Sequence, residues 1–146
     1  MRHHISVLMV AAATLLGCAH RPHVAAPSSP DTTGRLTTAF GEFSPAGSAW
    51  TVRVSDSDRQ MKISRNTQFG STAVSPSKWK AETGWFAFVE NDERVWAYDG
   101  HGYLYLLTLT KDGTASYGPR SFPCPIPHEV YTRLSASAQK DIESHE

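Results

Sequence analysis

Two titratable side chains share one turn of this 146-residue chain, Asp99 and His101 in Asp99-Gly100-His101-Gly102. A carboxylate beside an imidazole is a pairing that can do general acid–base work. The same four residues are also good turn chemistry, since Asp accepts from the backbone just beyond it and glycine permits positive φ. Cys124 and His128 are four apart, but Pro123, Pro125 and Pro127 keep them from sharing a helical face as metal ligands. Asp56-Ser57-Asp58 has two carboxylates and lacks the rest of a calcium loop. Ser75-Pro76-Ser77-Lys78 fits S-x-x-K, yet neither S-D-N nor K-T-G accompanies it, and in a chain with 16 serines the match is chance. G-x-S-x-G, P-loop and dinucleotide signatures are absent. The sequence therefore points to no catalytic residue, no metal and no cofactor, and the chain is read as a non-enzyme.

Composition narrows the class further. Lys+Arg and Asp+Glu both number 14, a balance that supplies no electrostatic reason to bind nucleic acid or anionic lipid. Two cysteines exclude a disulfide-dense scaffold. Nine prolines and ten glycines argue against a helical bundle. All the aromatic residues lie between Phe40 and Tyr131, so the folded domain spans about 35–135, with a polar tail over 136–146 expected to fray.

Upstream of the domain, Arg2 with His3 and His4 precedes an apolar run from Ile5 to Leu16. That run is too short for a transmembrane helix of about 20 residues and suits the core of a signal peptide over 1–17. Leu15-Leu16-Gly17-Cys18 resembles the lipobox of bacterial lipoproteins. The resemblance implies that Cys18 becomes the first mature residue and carries lipid, which anchors the protein in the bacterial cell envelope. Because residue 19 is Ala rather than Asp, the same resemblance implies the outer membrane, facing the periplasm. If Cys18 is not acylated, a bridge to Cys124 becomes possible in that compartment. Residues 18–34, rich in proline and small polar side chains, read as a flexible tether. At about 3.1 Å per residue in an extended proline-rich path, it would hold the domain up to roughly 50 Å from the membrane. His20 and His23 within it do not make up a metal site.

The elements that must position the aromatic and titratable groups are strands. Ala49–Val54 alternates in the strand manner, Gln60–Ser64 does so more weakly, and 67–74 is a further candidate. The stretches 84–90, 93–99, 103–110 and 114–117 form an antiparallel meander rich in β-formers. Asn91-Asp92 is read as a two-residue hairpin loop and 99–102 as a four-residue one. This register pairs Trp85 with Tyr98, Ala87 with Trp96, Tyr98 with Tyr103 and Trp96 with Tyr105. One face then carries Phe86, Phe88, Val95, Ala97, Leu104 and Leu106 as core. The other carries Trp85, Val89, Trp96, Tyr98, Tyr103, Tyr105 and Leu107. Beyond it, Pro127 starts a short helix over 128–134.

Two readings of the Trp/Tyr face follow. Either the sheet is covered on both sides and these rings are a second core layer, or part of the face is open and binds a partner, as exposed Trp/Tyr clusters do. The segment Arg94-Val95-Trp96-Ala97-Tyr98-Asp99-Gly100 resembles a blade edge of a quinoprotein-type β-propeller, but a propeller repeats its blade and this chain has one copy. The expectation is a mainly β domain, an antiparallel meander sheet or small sandwich with a short C-terminal helix. Its expected role is a lipid-anchored binding or accessory module for an envelope protein or glycan, with Trp85, Trp96, Tyr98, Tyr103 and Tyr105 as the candidate face. The alternatives are a small enzyme or inhibitor using His101 with Asp99, and a structural lipoprotein with no specific ligand.

Overall fold

The computed structural model describes residues 24–25, 34–74, 78–118 and 121–145. The signal segment, Cys18, His20, His23 and the serines of the S-x-x-K match lie outside the described residues. The chain is mainly β, with two antiparallel sheets that do not close into a barrel. Its strands are β1 (Leu36–Thr37), β2 (Gly41–Phe43), β3 (Trp50–Val54), β4 (Met61–Thr67), β5 (Gly70–Ala73), β6 (Phe86–Val89), β7 (Arg94–Tyr98), β8 (Leu104–Thr110) and β9 (Gly113–Tyr117). Two short helices follow, α1 (His128–Tyr131) and α2 (Ala136–Glu143). The five-stranded sheet runs β1-β6-β7-β8-β9, and the four-stranded sheet runs β2-β3-β4-β5. Among the described residues no helix is long and apolar enough to cross a membrane.

Three layers result, and the five-stranded sheet is the middle one. On one side Trp85, Ala87, Val89, Val95, Ala97 and Leu107 pack against Trp50, Val52, Val54, Met61 and Ile63 of the outer sheet. On the other, Phe86, Phe88, Trp96, Tyr98, Leu104 and Leu106 pack against Cys124, Ile126, Val130, Leu134, Ala138 and Ile142. A sheet covered on both faces reads as a continuous apolar run, and β6 is buried at all four positions. The outer sheet faces water on its far side, which gives β3 its alternation of buried and more exposed residues.

The register differs from the sequence expectation by one residue at both central hairpins. Phe88 pairs with Trp96 and Val89 with Val95; Tyr98 pairs with Leu104 and Ala97 with Tyr105. A two-residue type I′ loop requires positive φ at both central residues. Neither Asn91 nor Asp92 adopts it. The chain instead loops through Asn91-Asp92-Glu93, with Glu90 N–H donating to Arg94 O at 3.1 Å and Glu93 N–H to Asn91 Oδ1 at 2.8 Å. At the next hairpin Asp99 N–H donates to Tyr103 O at 3.1 Å, so the loop is Gly100-His101-Gly102. Equal slips on either side of β7 leave β6 and β8 in their expected phase and turn β7 over. Trp96 and Tyr98 therefore join Phe86 and Leu104, while Val95 and Ala97 join Trp85.

The C-terminal region also departs from expectation. In place of a fraying tail, Ala136–Glu143 forms α2. Ser135 is its N-cap, accepting from Ala138 N–H at 3.3 Å. Ala138 and Ile142 bury one edge of the helix at i and i+4. Tyr98 ties this cap to the sheet, its hydroxyl donating to Ser135 Oγ at 2.9 Å. Two described residues from the stretch read as a tether pair with the domain: Val24 forms a parallel bridge with Ile126, and Ala25 N–H donates to Ile126 O at 2.7 Å.

Candidate functional site

The five aromatics expected on one face are distributed over three places. Trp96 and Tyr98 are in the helix-side core, at 0 % and 2 % exposure. Trp85 is in the core between the sheets. Tyr105 is half-buried at the edge of that inter-sheet core, and Tyr103 is exposed at 53 %. Only Tyr103 and Tyr105 of the five remain near one another at a surface, with ring centroids 6.3 Å apart and planes at 23°.

A residue outside the expected set extends this pair. The Trp79 ring stacks on Tyr105 at 4.0 Å and 25°. It arrives there because the chain at 79–81 runs beside 59–61: Met61 N–H donates to Trp79 O, and Ala81 N–H to Arg59 O, both at 2.8 Å. Lys78-Trp79-Lys80 shows no helical or strand period, and its place depends on pairing with residues some twenty positions earlier. In the sequence a tryptophan between two lysines after a proline-serine break is compatible with a short helical turn or a loop, and neither reading places its ring.

The turn that carries Tyr103 is held rigidly. Asp99 Oδ1 accepts from the backbone N–H of His101 at 2.7 Å, Gly102 at 3.1 Å and Tyr103 at 3.0 Å. Asp99 O accepts from Glu82 N–H at 2.7 Å, docking the turn on the preceding loop. The Asp99–His101 contact is thus carboxylate to backbone amide, as the turn reading of this tetrapeptide requires. His101 and Tyr103 are both exposed on this turn.

Two clefts flank this turn. One, of about 470 Å³, is lined by Lys78, Trp79, Lys80, Glu82, Asp99, His101 and Tyr105. The other, of about 720 Å³, lies between the turn and α2, lined by His101, Gly102, Tyr103, Gly118, Ser121, Ser137, Ala138 and Asp141. His101 borders both. Together they offer an aromatic surface, two lysines, hydroxyls and carboxylates, a set suited to holding a polar ligand by stacking and hydrogen bonds. Of the other residues singled out, Asp58 Oδ1 accepts from Gln60 N–H at 3.1 Å. The Ser55 hydroxyl, more than this amide, holds the Asp58 carboxyl below its ordinary range. Cys124 is buried in the helix-side core. Among the described residues no three His, Cys, Asp or Glu side chains converge as a metal site would require.

Burial pushes the Tyr105 phenol above its ordinary value of 10, with the Asp99 charge and then Tyr103 adding to it. The neutral phenol is therefore favoured in the folded state. Because the folded value lies above the unfolded one, the associated stability is present below pH 10 and is lost as pH rises past it. Urea denaturation between pH 9 and 11 is expected to show a fall in stability that Tyr105→Phe reduces; an unchanged pH slope would contradict this assignment.

No family model matches the chain. No characterised protein and no solved structure matches it either. The described residues form a three-layer β/β/α domain, and the 99–103 turn with its two flanking clefts gathers aromatic and polar side chains at the surface; a function is carried by such a locality and not by the fold.

Proposed function

We propose that the chain is a lipid-anchored envelope protein that works as a non-catalytic binding module, with its site in the two clefts around the 99–103 turn. The anchor part of this reading is supported by the apolar run Ile5–Leu16 followed by Leu15-Leu16-Gly17-Cys18. The binding part is supported by one observation above others: Tyr103, 53 % exposed, stands on a turn fixed by three amide hydrogen bonds between two clefts. A preorganised aromatic anchor loses little entropy on binding, which is why such residues dominate interaction energies. The chemistry of the walls favours a glycan or an extended peptide of the envelope over an apolar small molecule. The use of Asp99 Oδ1 for backbone amides weighs against the alternative of an Asp99–His101 acid–base pair.

The test is retention of a partner from solubilised envelope by the domain and by the variant Tyr103→Ala with His101→Ala. Both side chains are exposed, so the variant is expected to fold and to lose at least about tenfold in retention, the scale of one hot spot. Equal retention by the two forms would remove the site from this turn. Loss with His101→Ala alone, Tyr103→Ala being neutral, would instead favour the enzyme or inhibitor reading.

A further inference from the structure

We propose that the layer containing Ile126, α1 and α2 is the membrane-facing side of the domain, held there by a leash of only five residues. This rests on the reading of Cys18 as the lipid attachment point. The observation is the docking of the N-terminal segment: Val24 bridges in parallel to Ile126, and Ala25 N–H donates to Ile126 O at 2.7 Å. Ile126 is 1 % exposed and belongs to the core between the five-stranded sheet and the helices. The N-terminal segment therefore joins the domain on its helical layer, well before the first strand at Leu36.

Chain geometry converts this into an orientation. Residues 19–23 alone separate Cys18 from Val24. A fully extended chain advances at most about 3.6 Å per residue, so the six steps from Cys18 to Val24 reach about 20 Å. A compact domain of this size is roughly 35 Å across, from a radius of gyration near 13 Å. A leash shorter than the domain's own width cannot let all sides face the bilayer equally. One attached along 18–34, reaching about 50 Å, would do so. The outer sheet, about 10 Å beyond the middle sheet, is the far side. At neutral pH the leash carries one charge, Arg21, and no acidic residue, so it is not repelled by anionic lipid head groups.

The experiment uses the full lipidated protein in vesicles of phosphatidylethanolamine and phosphatidylglycerol with an energy-transfer acceptor on the head groups. A donor is attached at Ser137→Cys on α2 or at Ser71→Cys on β5, each with Cys124→Ala. Both serines are exposed, on opposite outer layers. Transfer from position 137 is expected to exceed that from 71 at least twofold. Ala25→Pro removes the docking donor without touching the core and is expected to abolish the difference. Insertion of a twelve-residue Gly/Ser segment after Ala19 should do the same while leaving Val24 and Ala25 docked. Equal transfer from both positions in the unaltered, anchored protein overturns the proposal, as does a difference that survives Ala25→Pro or the insertion. Vesicle flotation and intact mass are read first. A chain that carries no lipid and does not float overturns the Cys18 reading, and the orientation falls with it.

Discussion

Trp96→Ala is expected to destabilise the domain by about 3–5 kcal/mol, the range for emptying a fully buried aromatic site. Trp96 has 0 % exposure, meets Phe122 edge-on at 5.0 Å and donates from Nε1 to Glu90 Oε2 at 2.8 Å. Truncation removes the ring from the middle of the helix-side core and leaves a cavity flanked by β6 and β8, whose backbones cannot close on it while the ladders hold. Glu90 keeps its ion pair with Arg94 at 3.3 Å, so the lost hydrogen bond adds little beside the cavity. For a domain near 100 residues the cost corresponds to a fall of at least about 12 °C in the melting midpoint. Differential scanning calorimetry measures it, and Trp96→Phe should recover much of the loss. A melting point within about 3 °C of the parent would mean that the slip of β7 is wrong and that Trp96 faces a surface. The same substitution read as a binding defect would mistake unfolding for loss of contact.

That slip shows how far the residues could be read without coordinates. The existence, order and antiparallel pairing of β6 to β9 follow from alternation and turn residues, and so does the phase of Phe86 with Leu104. The loop lengths do not. Asn91-Asp92 and Asp99-Gly100-His101-Gly102 each permit an even or an odd count, and one residue decides which face of β7 meets which layer. Tyr98 and Trp96 are compatible with either face by type, since each buried ring reaches a polar partner for its tip at the margin of the core, in Ser135 and Glu90. α2 was hidden for a different reason. Its apolar contribution is only Ala138 and Ile142, and its stability depends on a serine cap that itself rests on Tyr98. Such a helix is marginal in isolation and exists because the sheet is there to receive it. The site shows the same dependence. Tyr103 and Tyr105 were legible as candidates, whereas Trp79 enters only through its pairing with 59–61.

Gly100→Ala is expected to cost about 2–4 kcal/mol, and to do so by dismantling the site before the core. Gly100 has φ +86, a region that L residues occupy at about 1–2 kcal/mol. A Cβ there would also lie 2.5 Å from Thr83 O and 2.8 Å from Glu82 O, both backbone atoms. Neither can move aside readily, because Glu82 N–H is bonded to Asp99 O at 2.7 Å and Trp85 N–H to Glu82 O at 3.1 Å, and the Trp85 ring is anchored between the sheets. The collision is therefore relieved by pulling the turn off the 82–84 loop. That breaks the amide cradle of Asp99 and displaces His101 and Tyr103 together. Gly102 separates the two contributions. Its φ of +128 makes Ala strained there too, but no atom lies within 4 Å of the added carbon, so the chain can relax outward. Urea titration of the two variants should place Gly100→Ala below Gly102→Ala by more than about 1 kcal/mol, on the scale of one crowded backbone contact. Partner retention should fall in Gly100→Ala even under conditions where far-UV circular dichroism still reports native strands. If the two glycine variants are equally stable, the turn is not docked on the 82–84 loop, and the clefts on either side of it lose the wall that gives them their shape.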